Sequence, residues 1–322
     1  MRFNTLQVAQ NTETIELSQY DLNVLKPNIK LDLIQDKYLE MFGKEFVKNI
    51  SFSRDGFFTL ILSLEGKIAV SVGESEAIVE GAKKAKEYGA DITFIALNKD
   101  GTLDTKSLDD SFDYVFVSSY IVDTYVKVDL EEVKEKTAAK LISNGTVEFS
   151  TISDIYVFDS YKLCSMGAMG VLVYEDEFEE SAISQLNLLC LDLTIKAIEN
   201  KNKELDLKDK FLDLFTKQFG DDLYFFVDPK DTLEYTLYLG LKGIKMRELI
   251  RTMAFEDIYI TNGEGCSLGL SKPSRIIQEM GYSEDESRWG LSLDFSEKLE
   301  EKTIGKIVNM IFRKYTQIKV LG

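Results

Sequence analysis

Ser160-Tyr161-Lys162-Leu163-Cys164-Ser165-Met166-Gly167-Ala168-Met169-Gly170-Val171-Leu172-Val173-Tyr174 is the stretch on which the reading of this chain turns. An apolar run, Ile155-Tyr156-Val157-Phe158, leads to a single lysine; glycines follow five and eight residues after it, and the chain then re-enters a strand-like run. Such a pattern presents one amine at the end of a strand. An amine held there, partly out of water, is expected to have a depressed pKa and to add to an aldehyde, which is the first chemistry of a pyridoxal phosphate (PLP) site. Read locally, the same residues also make a β-hairpin with a solvated lysine at its turn.

Composition narrows the chemistry around that amine. The 322 residues have room for two domains of ordinary size, and a hydrophobic share of 44% marks a globular protein. A net charge of -17 disfavours non-specific attraction to nucleic acid or anionic lipid. The longest apolar run, Phe57 to Leu64, is too short to span a bilayer, and the N-terminus lacks the basic-then-apolar pattern of a signal peptide. A soluble cytoplasmic protein is therefore expected, with neither nucleic acid nor membrane as a partner. The three cysteines, Cys164, Cys190 and Cys266, form no short-spaced pair, which argues against a disulfide framework and a zinc site. There is no histidine. That removes the commonest metal ligand and the usual general base, and it excludes Ser-His and Cys-His hydrolases. An enzyme built from this chain must use lysine, cysteine, carboxylates, tyrosine or a cofactor, and PLP suits that restriction because it supplies an electron sink while a lysine moves protons.

Working outward, strand-like and helical segments alternate at short spacing. Leu31 to Phe46 has helical spacing, Lys67 to Ser71 reads as a strand, Glu74 to Tyr88 as an amphipathic helix ended by Gly89, and Asp91 to Leu97 and Asp113 to Ser119 as further strands. This alternation predicts an α/β protein with a mostly parallel sheet and crossover helices. A long helix is expected over Ser181 to Ile198, with Cys190 in its core face. Glu199 to Lys210 reads as a helix continuation or hinge. Strands are expected at Asp222 to Val227, Leu233 to Leu239, Asp257 to Thr261 and Gly290 to Ser296, with helices at Met246 to Met253 and Glu297 to Tyr315.

A second stretch places one cysteine in a glycine-flanked loop: Thr261-Asn262-Gly263-Glu264-Gly265-Cys266-Ser267-Leu268-Gly269-Leu270-Ser271-Lys272-Pro273-Ser274. Taken together, the lysine and cysteine loops resemble the class V aminotransferase superfamily and, within it, the cysteine desulfurases. There the Schiff-base lysine reads S-x-H-K, which falls on Asp159-Ser160-Tyr161-Lys162. The sulfur-accepting cysteine reads S-G-x-A-C, which falls on Asn262-Gly263-Glu264-Gly265-Cys266, with Pro273-Ser274 in register. The resemblance implies a PLP-dependent transferase of fold type I: a large α/β domain over residues 31–198 and a smaller C-terminal α+β domain over 199–322, which residues 1–30 can join. It implies Lys162 and Cys266 as catalytic residues, and Lys162, Ser53, Gly56 and Ser75 as cofactor neighbours. Ser53 and Gly56 stand where the family cradles the phosphate in T-S-G-x-T-E. Ser75 stands where the family stacks a histidine on the ring. A homodimer and a sulfur-acceptor protein are the implied partners.

The same resemblance exposes departures. The family's N-N-E-T segment reads Ile121-Val122-Asp123-Thr124, and the arginine that binds the substrate carboxylate reads Ser292. The aspartate that pairs with the pyridine nitrogen has no clear counterpart; Ser143, Asn144 and Glu148 are the nearest residues. The glycine and arginine-rich loop after the lysine strand is deleted. Two functions follow. One is an active cysteine desulfurase, in which Lys162 holds PLP and the Cys266 thiolate takes sulfur from cysteine. The other is a catalytically degenerate member that keeps a dimeric scaffold and uses it for binding or regulation.

Overall fold

In a computed structural model, which describes residues 1–9, 15–20, 29–175, 178, 186–264 and 272–321, the chain between 46 and 174 forms one seven-stranded sheet. Its strands are β1 (Phe46–Ile50), β2 (Ile68–Ser71), β3 (Ile92–Ile95), β4 (Tyr114–Phe116), β5 (Lys140–Asn144), β6 (Ile155–Asp159) and β7 (Gly170–Tyr174), in the order β1-β7-β6-β5-β4-β2-β3. The pairs from β3 through β2, β4 and β5 to β6 are parallel, and β7 runs antiparallel to both β6 and β1. This is the α/β architecture expected from the alternation of segments.

The sheet is covered on both faces, which is why its inner strands are continuous apolar runs. Val157 and Leu172 point to the side covered by α2 (Arg54–Leu62) and α3 (Glu76–Glu87), where they meet Phe57, Leu60 and Ile78. Tyr156, Phe158, Val171 and Val173 point to the other side, against α1 (Ile29–Phe42) and a helix carrying Leu191 and Ile195. The crossover between β4 and β5 contains the short α4 (Leu130–Lys136), capped by the Asp129 carboxylate.

The lysine stretch departs from the expected loop. Ser160–Cys164 is a short helix, α5, because the Asp159 carboxylate accepts a hydrogen bond from the Tyr161 amide at 3.0 Å and caps the turn. Ser165, at φ 62°, ends it. The expected long helix begins at Leu188 and runs to Glu199 (α6), with the Asn187 side chain accepting from the Cys190 amide at 3.0 Å. Residues 181–185 lie outside the described residues.

A second, antiparallel sheet has the order β10-β9-β8, from Gly290–Asp294, Thr236–Leu241 and Leu223–Tyr224. The strand expected over Asp222 to Val227 is thus confined to two residues. Asp257 to Thr261 makes isolated bridges, Tyr259 to Arg2 and Thr261 to Ser292, in place of a full strand. The helices α7 (Lys208–Phe219) and α8 (Met246–Ala254), together with the closing helix Glu301–Leu321, pack on this sheet through Phe211, Phe215, Leu249, Ile304 and Ile311. The first residues of the chain join it: the Phe3 amide donates to Tyr259 O at 2.8 Å and the Asp294 amide to Phe3 O at 3.0 Å.

Candidate active site

The strands β2, β4, β5 and β6 end on one edge of the large sheet, where crevices form in open α/β folds. Lys162 stands there, one turn past the end of β6 and only 9% exposed. It borders a cavity of about 360 Å³ whose apolar wall includes Phe52, Ala77 and Ala168 and whose other lining side chains are Tyr161 and three carboxylates, Glu76, Asp159 and Glu264.

The Lys162 amine is held by the Glu264 carboxylate at 2.7 Å. The other Glu264 oxygen accepts from the Glu76 amide at the head of α3, at 2.8 Å, so one carboxylate joins the amine to a helix N-terminus that favours negative charge. Burial pulls the Lys162 pKa down, but the neighbouring Glu264 and Asp159 carboxylates outweigh it, and the net direction is above the ordinary lysine value. The depressed amine expected from the sequence is therefore corrected: a charged partner supplied by a distant loop reverses the effect of desolvation. Burial alone would raise Glu264, yet Lys162 and the Glu76 amide hold it below the usual carboxylate range.

More carboxylates lie behind this pair. Asp159 is pushed up to about 6, chiefly by burial, with Lys162 opposing and Glu264 adding to the rise. Glu74, fully enclosed, is pushed up to about 7 mainly by burial. One of its oxygens accepts from the Ser118 hydroxyl at 2.6 Å, and the other has no partner among the described residues. Asp123 takes a left-handed φ of 65° and accepts from the Glu264 amide at 2.7 Å and the Ser274 hydroxyl at 2.8 Å; burial raises its pKa, and Glu264 adds to that. Gly263, at φ 116°, is required here, since a Cβ would come within 2.2 Å of the Asp123 carboxylate. The Ser292 hydroxyl donates to the Asp123 carbonyl at 3.1 Å. The N-N-E-T position and the arginine position thus meet in space, joined by a neutral hydrogen bond. The Arg275 guanidinium donates to the carbonyls of Val72, at 2.5 Å, and Glu74.

The other sequence candidates fall as follows. Ser53 is the N-cap of α2 and accepts from the Gly56 amide at 3.2 Å. Gly56 sits against the Ser51 carbonyl, which a Cβ would approach to 1.9 Å. Among the described residues, this segment's contribution to the cavity wall is Phe52. Ser75 is buried beside Glu76, and its hydroxyl has no partner among the described residues. Cys266 lies outside the described residues. Ser143 donates to Val117 O at 2.6 Å, Asn144 accepts from the Thr146 amide at 3.0 Å, and Glu148 is bound by Lys203 and the Tyr235 hydroxyl. Sequence reasoning gave Glu264 no role. A carboxylate flanked by two glycines in a loop was the available signal, but nothing local says which cation it meets. Among the described residues no group of thiols and carboxylates is arranged to hold a metal ion.

No family model matches the chain. Over 132 residues it is 23% identical to cysteine desulfurase IscS of Rickettsia bellii (strain OSU 85-389), a match covering 41% of this chain and 32% of that protein. The chain thus spans about a third of the length of the curated relatives it matches. A NifS-like protein from Rickettsia africae ESF-5 superposes with a TM-score of 0.69 over 94% of each chain at 15% identity. The chain has the fold of the NifS-like cysteine desulfurases. A cysteine desulfurase from Thermococcus onnurineus NA1 agrees, with a TM-score of 0.66 over 97% of this chain and 88% of that one at 13% identity. The likeness at this level of identity is one of fold, and the architecture is that of PLP fold type I. No helix among the described residues is long and apolar enough to cross a membrane.

Proposed function

We propose that this chain is a catalytically degenerate relative of the cysteine desulfurases, in which an internal ion-pair cluster has taken over the cofactor site and the retained scaffold serves binding or regulation. The observation that carries this reading is the Lys162–Glu264 pair: the amine that should meet an aldehyde is held as an ammonium by a carboxylate of the same chain. Three further features support it. The serine of S-x-H-K is Asp159, and Asp159, Glu76 and Glu264 give the cavity an anionic wall that opposes a phosphate dianion. The cradle residues Ser53 and Gly56 are engaged in forming the first turn of α2. The pyridine-partner and carboxylate-binding positions carry neutral or otherwise engaged side chains. Each charge-assisted hydrogen bond missing from such a site costs about 1.5–3 kcal/mol, so the absence of several removes most of the affinity for PLP. The described residues fit that cofactor poorly. On this reading the partners are a second copy of the chain, by analogy with the family, and an active relative or sulfur-acceptor protein.

One observation favours the other reading, a PLP-dependent cysteine desulfurase with Cys266 as sulfur acceptor: the amine does face a cavity with an apolar wall at the functional edge of the sheet. The test is to mix the purified full chain with PLP, record its visible spectrum, reduce with borohydride and map the adducts. No adduct at Lys162 and no sulfide released from cysteine is the expected result. A reduced adduct at Lys162 would overturn the proposal, and sulfide release abolished by Cys266→Ala would establish the second reading in its place.

A further inference from the structure

A second amine lies on the far side of Lys162. Lys201 follows α6 directly, between Asn200 and Asn202. It borders a cavity of about 320 Å³ that Lys162 also touches, and the rest of the polar wall is made by the uncharged side chains of Thr5, Thr146, Asn200, Asn202 and Ser296. The Lys201 amine donates to the carbonyl oxygens of Thr146, at 2.8 Å, and Val147, at 2.5 Å. These two acceptors use both N–H groups of an uncharged amine and leave its lone pair unused; an ammonium would have a third N–H to place.

The charges facing Lys201 are divided: Glu148 and Asp294 favour the ammonium, and Lys203 and Lys162 oppose it. Glu148 is taken by Lys203 at 2.6 Å and by the Tyr235 hydroxyl at 2.9 Å. Asp294 is spent on the amides of Thr5 and Leu6, at 3.0 and 3.1 Å. Burial is the largest influence, and the balance lowers Lys201 to about 7. The contrast with Lys162 is one of partners: a buried carboxylate holds one amine protonated, while the other is bound by two uncharged carbonyl oxygens, and burial is what favours its free-base form.

We propose that Lys201 is the nucleophilic amine of this chain and that the cavity beside it takes a small, uncharged, polar carbonyl compound, such as a short hydroxyaldehyde, as a reversible imine. The nitrogen lone pair adds to the carbonyl carbon. The two amine hydrogens leave with the carbonyl oxygen as water, a C=N bond replaces C=O, and no electrons are gained or lost overall. The hydroxyls and amides of the wall are donors and acceptors suited to hydroxyl groups on such a ligand. This inference stands whether or not PLP binds at Lys162.

The test treats the full chain with glycolaldehyde and cyanoborohydride from pH 5 to 10 and maps modified lysines by peptide mass spectrometry. Modification of Lys201 should be half-maximal near pH 7. At that pH its free-amine fraction exceeds that of an ordinary exposed lysine by on the order of a thousand-fold. Lys201→Met should abolish the signal, and Lys201→Arg, which keeps donors for the two carbonyls, should abolish it in a folded protein. Absence of modification at Lys201, or a pH profile that follows the exposed lysines, would overturn the proposal. An adduct found at Lys162 in the PLP experiment would overturn the preceding reading and leave this one standing.

Discussion

Replacing Glu264 by glutamine isolates the interaction on which the site reading rests. The side chain keeps its size, and its amide oxygen can still accept from the Glu76 amide, but the charge opposite Lys162 is gone. Both partners are largely out of water, with side chains 8% and 15% exposed, so solvent screening is weak. Removing one member of a buried pair typically costs about 3–5 kcal/mol, because the remaining charge is left uncompensated. Lys162 has an escape: it can release its proton. In the wild-type protein its folded pKa lies above the unfolded value, so its stabilising contribution is complete below the ordinary lysine range and is lost only as pH rises through the raised value. In Glu264→Gln, burial remains as the largest influence and the folded pKa drops below the unfolded one. The unfolded chain then binds more protons in the window between the two, and the stability of the variant rises with pH there. The deficit relative to wild type should therefore be about 3 kcal/mol or more at pH 6 and shrink steadily toward pH 9. Urea unfolding at several pH values, read as a shift in midpoint at constant slope, measures it. A deficit below about 1 kcal/mol, or one that does not change with pH, would refute the argument that Glu264 sets the charge state of Lys162.

Three further expectations follow from the same cluster and its surroundings. Glu74 and Asp159 have folded pKa values raised to about 7 and about 6, so the stability they contribute is present below the usual carboxyl range and lost as pH rises through those values. Glu74→Gln should accordingly be more stable than wild type at pH 8, by on the order of 3 kcal/mol, with the gain gone at pH 4; thermal melts at the two pH values check this. Gly56→Ala should lose about 2 kcal/mol or more, because the new Cβ meets the Ser51 carbonyl, and chemical denaturation would show it. Ser53→Ala should cost about 1 kcal/mol through loss of the α2 cap and leave the pH profile of Lys162 acylation unchanged, which separates a capping role from a cofactor role.

Much of the architecture was legible from local pattern. The runs at Ile155 to Phe158 and Val171 to Tyr174 are apolar at every position because both faces of β6 and β7 are covered, and the helical spacing of Glu74 to Tyr88 is the buried face of α3. The short helix at Ser160–Cys164 was not legible, since it depends on the Asp159 side chain turning back to cap it. The expected strand at Asp257 to Thr261 failed for a related reason: its partners, Arg2 and Ser292, offer single bridges and no continuous ladder.

The order of residues was enough to place one amine at a strand end, to remove histidine chemistry and to mark out an α/β sheet, because periodicity and composition act over a few neighbouring positions. The charge on that amine was decided in three dimensions. Glu264 lies 102 residues further along the chain, yet its carboxylate is 2.7 Å from Lys162, and the energy of a buried charge depends on what surrounds it in space.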